Sequence, residues 1–321
     1  FPWAGQYIMR SGWRPEDRYL MFEVGPFGIG HQHEDKLGIF LYAYGRVLLT
    51  EAGTYSYDRS KWRRYVLTTA SHNTIMVDGL PQNRRAVRAT YEAQEPLEGN
   101  WVTTESFDWA FGVYDDGYGR DNDKSVAHER TVIFVRPDYY VVLDRLLGEG
   151  EHTYSNIFHL DADDAVVDDE TMTVRTNVPG KANLALVPVD RDGLSLRVVK
   201  GQEDPVQGWI PRERHRAVPT PIYEKAGTCP QTFVTLLVPY PAGDAPTVAA
   251  RLLDLGRPSS EAVGVEVRMG GGRDVILYAY GEPMKLEAGG VSADAKLAVV
   301  RRSADGATTV GVMRGKILGG G

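Results

Sequence analysis

Cysteine is almost missing from this chain: Cys229 is the only one in 321 residues. An internal disulfide is therefore excluded and Cys229 reads as inert, which fits a reducing or an oxidising compartment equally. Long apolar runs are missing too. No stretch approaches the roughly eighteen residues of a membrane span, and no charged-then-apolar leader opens the chain, so no membrane partner is expected. An excess of positive charge is lacking, with 36 Lys and Arg against 43 Asp and Glu and a net charge of −7. That balance argues against nucleic acid, whose binding rests on basic surface, and any polyanionic partner would have to be met by a local basic cleft. Helical periodicity is absent from every segment longer than about twelve residues, and no internal repeat is visible. EF-hand spacing is absent as well, so aspartate runs such as DADD at 161–164 read as solvated turns.

What the chain does contain is 35 glycines and many short runs rich in β-branched and aromatic residues, bounded by Gly, Asp and Pro. YLMFEVG, LGIFLYAYG, SVAHERTVIFV, YYVVLDRLLG, TFVTLLVPY, EAVGVEVRM, DVILYAYG and AKLAVVRR all read as strands, with RPDYY as a turn and KILGGG as a frayed end. Such a pattern predicts an all-β protein, a large antiparallel β-sandwich of two stacked sheets. Residues 1–321 are expected to form a single sandwich domain, with a possible seam near 201–227, where GWIPRERHRAVPTPIYEKAG is proline-rich and irregular, the kind of loop that covers a site. Trp209, Arg212 and His215 in that loop could contact sugar.

The densest chemistry lies between Gly30 and His72. His31 and His33 stand in GHQHED, and in an extended chain residues two apart face one side. VLLTEAG ends a strand at Glu51, and TTASHNTIMVDG brings His72 to the start of another. Glu51 and His72 are thus the nearest partners to complete a site with His33, and imidazole with carboxylate is a ligand set that suits zinc and its neighbours. Asp35 shares the face of the two histidines and could instead orient a ligand from behind. YDRSKWRRYVLTT reads as a loop whose Arg63, Arg64 and Tyr65 could meet substrate carboxylates, arginine being able to pair with a carboxylate through two parallel hydrogen bonds. LPQNRRAVRA continues the basic character. Arg84, Arg85 and Arg88 read there as a surface charge cluster, while Gln82 and Arg84 are carried as candidate substrate contacts. His128, with Arg130 two residues on along the same strand face, His152 and His159 read as structural, although His159 could line the cleft.

GHQHEDKLGIFLYAYGRVLLTEAG, YDRSKWRRYVLTTASHNTIMVDG and HERTVIFVRPDYYVVLDRL together resemble the C-terminal β domain of the heparinase II/III-like polysaccharide lyases, a group that includes alginate lyases. The resemblance implies an active-site role for His31 and a metal held by His33, Glu51 and His72. The acidic ligand there is usually aspartate in a VDPG-like turn, whereas this chain has TEAG. It also implies β-elimination on a uronate polysaccharide, alginate slightly preferred over heparin-like or heparan-sulfate-type glycosaminoglycan. Tyr57 and Tyr65 join His31 as catalytic candidates, and Arg63, Arg64, Gln82 and Arg84 serve as substrate contacts. A divalent metal is implied, zinc first with manganese or calcium as alternatives. So are a periplasmic or secreted location and a partner: the family's N-terminal α-toroid, absent here and supplied upstream or as a separate chain, facing Trp3, Trp13 and Trp62. Two other readings stand beside this one, a metal-assisted hydrolase built on His33, Glu51 and His72, and a carbohydrate-binding sandwich whose histidines only staple strands.

Overall fold

A computed structural model describes residues 1–84, 92–97, 99–212 and 214–319; Arg85 and Arg88 fall outside the described residues. The centre is an eight-stranded antiparallel sheet whose longest strands are Val126–Val135, Tyr139–Gly148 and Gln231–Tyr240. These carry unbroken apolar runs because the sheet is covered on both faces, so both sets of alternating side chains are buried. Val132 and Phe134 enter one core, whereas Ile133 and Val135 enter the other.

Over the first face lie two four-stranded sheets. One is made by Gln6–Arg10, Tyr19–Glu23, Ile39–Ala43 and Arg46–Leu49. The other pairs Ile75–Val77, Glu151–Ile157, Thr220–Thr228 and Ser195–Val199. Over the second face lies a five-stranded sheet of Val248–Leu253, Ala262–Met269, Gly272–Ala279, Leu297–Arg302 and Thr308–Met313, which a three-stranded sheet covers in turn. The chain is thus all-β and antiparallel, and the stacked pair expected from the strand pattern is repeated outward from the central sheet. The RPDYY turn joins the two central strands as expected.

Two local expectations change. Within KILGGG the described residues are not frayed: Lys316–Gly319 pairs with Val291–Ala295, because Ile317 packs on the outer core of the three-stranded sheet. The basic segment is not all loop either, for Lys61–Leu67 forms a helix. Ser60 starts it by accepting a hydrogen bond from the Arg63 amide, and the Ser60 amide in turn donates to Asp58. Tyr65 and Val66 anchor the helix by burial, and a helix of seven residues is too short to show a period in sequence.

Candidate functional site

The loop between the strands Tyr19–Glu23 and Ile39–Ala43 carries the paired histidines. It is not extended, because His31 and Leu37 both adopt left-handed backbone with φ of 57° and 63°. The expectation that both histidines share a strand face therefore fails, since that backbone breaks the period of two. Left-handed backbone at a non-glycine residue is costly and persists where surrounding structure enforces it. The enforcement is visible at Gly112 of the central sheet, where a Cβ would come within 2.5 Å of Val24 and 2.6 Å of Leu37. Only glycine lets the loop lie this close to the sheet. His31 and His33 still open on the same cavity, about 740 Å³, with Trp3, Glu23, Phe27 and Asp35 in its wall.

On the outer side, exposed His31 shares a hydrogen bond of 2.8 Å between Nδ1 and the Tyr57 hydroxyl, ring edge to ring face. The Arg63 guanidinium lies 4.8 Å over the Tyr57 ring. An imidazole, a phenol and a permanent cation are thus grouped at one rim.

Deeper in, single ligand atoms of His33, Asp35 and His72 all lie within 4.8 Å of one another. His72 is buried and hydrogen-bonds Glu51 through Nδ1, while its Nε2 is buried and without a hydrogen-bond partner among the described residues. The donors of His33, Asp35 and His72 are two imidazoles and a carboxylate, a set that suits a divalent cation. Burial, the neighbouring His72 and then Arg63 and Arg84 lower the His33 pKa to about 4, against Asp35, which keeps His33 neutral as a ligand must be. For His72 burial works against charge, but the Glu51 carboxylate and its hydrogen bond outweigh it and raise the pKa. Metal binding would have to displace the proton that Glu51 favours on His72, and the donor set itself fits a divalent cation. In this geometry Asp35 stands among the clustered donor atoms, and Glu51, the acidic ligand expected from sequence, bonds His72 directly through Nδ1.

Asn73 locks this arrangement. Its amide nitrogen donates to the carbonyls of Ile39 at 2.8 Å and Thr50 at 2.7 Å and to Glu51 at 2.9 Å, and its oxygen accepts from the His159 backbone at 2.7 Å. Arg130, fully buried, donates to the carbonyls of Leu37 and Asn73 at 2.7 Å each, and pairs with Asp144 through Nε at 2.6 Å and Nη2 at 3.2 Å. Asp144 also accepts from His128 at 2.7 Å and Asn156 at 3.0 Å. His128 is structural, as read from sequence, and so is Arg130, which supports the backbone beside Asp35 and His72.

Other expected site residues lie elsewhere. Tyr65 is buried, its hydroxyl 3.2 Å from His159 Nε2, and burial raises its pKa, so it cannot act in the cleft. Gln82 is 1% exposed and bonds both the Lys36 amide and carbonyl, at 2.9 and 2.8 Å, so it holds the histidine loop rather than substrate. Both were drawn to the site by sequence proximity and are in it as scaffold. Arg64 turns away, donating to the Arg59 carbonyl at 2.7 Å and lining a separate cavity with Glu203–Val206. Arg84 pairs with Glu34 at 3.3 Å beside His33. His159, lowered to about 3 by burial and then His72, belongs to the interior beneath the cleft. Trp3 and Trp13 are 60% and 85% exposed, whereas Trp62 packs on Trp209 and His215 with ring centres 5.3 and 4.5 Å away. His215 also bonds the Tyr55 hydroxyl at 3.0 Å.

Glu23 escaped the sequence reading. It lines the cavity, and burial, aided by Asp35 and opposed by the Gln6 amide, raises its pKa to about 7. Its signal is faint: a carboxylate ending an alternating strand just before a Gly-Pro turn.

The site is a sheet sandwich carrying an imidazole–phenol–guanidinium rim beside a cluster of two histidines and an aspartate. The profile of the heparinase II/III-like C-terminal family matches residues 1–249, and the chain belongs to that family. It is 27% identical over 257 residues to the heparin-sulfate lyase of Pedobacter heparinus, covering 77% of this chain and 36% of that protein. To the heparin-sulfate lyase of Bacteroides stercoris it is 21% identical over 289 residues, covering 86% of this chain and 39% of that protein. Among solved structures, the heparan sulfate lyase of Pedobacter heparinus aligns with a TM-score of 0.69 at 24% identity over 87% of this chain and 42% of that one. A heparinase III aligns at 0.68 and 18% identity. These structural likenesses speak for the fold alone. The chain spans less than half the length of each of these proteins.

Proposed function

We propose that this chain is the β-sandwich portion of a polysaccharide lyase that cleaves uronate-containing chains of the heparin-sulfate type by β-elimination. The observation that carries the reading is the His31–Tyr57 hydrogen bond under Arg63, at the mouth of the cavity that also holds His33 and Asp35. The names of the relatives favour heparin-sulfate-type substrate, and no relative supports the preference for alginate.

In such a reaction the proton on the carbon next to the uronate carboxylate is removed. The electron pair left behind forms a double bond to the neighbouring carbon, and the glycosidic oxygen on that carbon departs and takes a proton. Three tasks follow: neutralising the carboxylate, accepting one proton and delivering another. Arg63 supplies the permanent positive charge. His31 and Tyr57, joined at 2.8 Å, form a base and acid pair in which one group receives the carbon-bound proton and the other serves the leaving oxygen. A divalent cation, zinc first, would be held by His33, Asp35 and His72, and when bound it supplies fixed positive charge at the base of the cleft. Further groups, supplied by an N-terminal α-toroid, complete the cleft, since the His31 rim forms only one wall. Periplasmic or secreted placement accords with a polymer substrate.

Turnover of heparan-type chains and of alginate by this chain together with the helical domain tests this, by the ultraviolet absorbance of the unsaturated sugar end that elimination creates. His31→Ala should lower the rate by at least about a hundredfold, the scale of losing an acid/base group, while metal content and melting stay unchanged. Cleavage without any ultraviolet-absorbing end would refute elimination.

A further inference from the structure

The five-stranded sheet, nearly all of which lies beyond residue 249 where the family match ends, carries a charge pattern unlike the rest of this acidic chain. Register places Arg251 opposite Glu266, Arg268 opposite Arg273, and Arg273 opposite Arg302. Residues opposed across antiparallel strands share a face, so these four arginines share a face with Glu266, and three of them, Arg251, Arg268 and Arg273, bond it. Like charges directly opposed on a sheet are destabilising, and one carboxylate cannot neutralise the three guanidinium groups bonded to it.

Glu266, its side chain only 4% exposed, receives Nε of Arg251 at 3.2 Å, of Arg268 at 3.1 Å and of Arg273 at 2.7 Å. Although burial opposes its charge, these bonds hold its pKa down to about 2. Arg273 also donates to the Gly289 carbonyl at 2.7 Å. The other two differ. Arg251 and Arg268 have side chains 64% and 59% exposed, and their terminal nitrogens make no hydrogen bond among the described residues. Glu266 therefore tethers each guanidinium by its inner nitrogen and leaves the outer fork turned to solvent. That fork matches the paired oxygens of a sulfate or carboxylate.

We propose that this arginine row is an accessory binding site for the oxyanion groups, sulfate or carboxylate, of an acidic polysaccharide, separate from the histidine cleft. The choice of a polysaccharide rests on the lyase reading above. Two anion-reading surfaces on one protein would hold a long chain at two points and raise its residence near the cleft.

The experiment uses the full chain with fluorescent oligosaccharides of equal length: a sulfated heparin fragment, an unsulfated uronate fragment and neutral dextran, with single-stranded DNA as a further polyanion. Arg251→Gln with Arg268→Gln removes both exposed forks while leaving the Arg273–Glu266 pair, and unchanged melting verifies the fold. The double variant should bind the anionic fragments at least tenfold more weakly than the parent, with a shallower dependence on salt. Tighter binding of the sulfated arm identifies sulfate as the group read, and tighter binding of the uronate arm identifies carboxylate. Unchanged affinity in the double variant, equal binding of dextran, or stronger arginine-dependent binding of DNA would overturn the proposal. Arginine-dependent binding with no turnover when the helical domain is supplied counts against the lyase reading alone, and such turnover without arginine-dependent binding counts against this site alone.

Discussion

Replacing Asp144 by asparagine should be among the most damaging single changes in the molecule, although the residue lies beneath the site and touches no substrate. Asp144 and Arg130 are fully buried, joined at 2.6 and 3.2 Å, and Asp144 also serves His128 and Asn156. Asp144→Asn leaves a guanidinium without its counter-charge in the interior, which costs about 3–5 kcal/mol, a large part of the roughly 5–15 kcal/mol that holds a protein folded. Arg130→Met instead orphans the carbonyls of Leu37 and Asn73, at about 1–3 kcal/mol each, and strips Asp144 of its main partner. The combination Arg130→Met with Asp144→Asn abolishes the charge penalty and retains only the orphaned carbonyls and the weakened bonds of residue 144 to His128 and Asn156. Its cost should therefore fall short of the sum of the single changes by at least about 2 kcal/mol. Denaturant unfolding followed by two probes, with the slope checked for constancy, measures all three. Acidity adds a second reading. Burial opposes charge on Asp144, but Arg130 and His128 hold its pKa below the usual carboxylate range, so its contribution is complete above the unfolded value and is lost as pH falls through the lower folded value. The asparagine variant should lack that acid limb. A cost under about 1 kcal/mol for Asp144→Asn, or additive single changes, would refute the buried-charge reasoning.

Elemental analysis should find a divalent metal, and a chelator should lower the melting temperature, because a ligand bound only by the folded state stabilises it; less than about a tenth of an equivalent with unmoved melting sinks the metal. Asp35→Asn should abolish stoichiometric metal, whereas Glu51→Gln should retain it at about 10–100-fold weaker affinity, the scale of losing a group that orients a ligand. The reverse ranking in a metal titration would return Glu51 to the ligand set. Glu23, with its pKa raised to about 7, binds more protons folded than unfolded between pH of about 4.5 and 7, so parent stability should decline across that window. Melting of Glu23→Gln measured over the same range should show a flatter profile, and an identical slope would contradict it.

The short alternating runs and glycine-rich turns determine an all-β chain, because a period of two cannot be satisfied by a helix. The continuous apolar strands, TVIFV and YYVVL among them, also carry the information that both faces of the central sheet are covered. The order of the histidine motifs suffices for the family, since His31, His33, Glu51 and His72 converge on one region however the backbone bends between them. Which atoms do what was decided by tertiary structure. The left-handed backbone at His31 and the glycine under Val24 and Leu37 set the loop's path, and that path brings Asp35 among the clustered donor atoms, while Glu51 bonds His72 directly. Burial then separates residues that look alike in sequence: Tyr57 lies at the rim and Tyr65 in the core, Arg63 over the Tyr57 ring and Arg64 turned away. A seven-residue helix does this, since its 3.6-residue turn sends neighbouring side chains in different directions. The arginine row needed strand register above all. Arg251, Arg268, Arg273 and Arg302 are scattered over some fifty positions of sequence and become one surface only when four strands align.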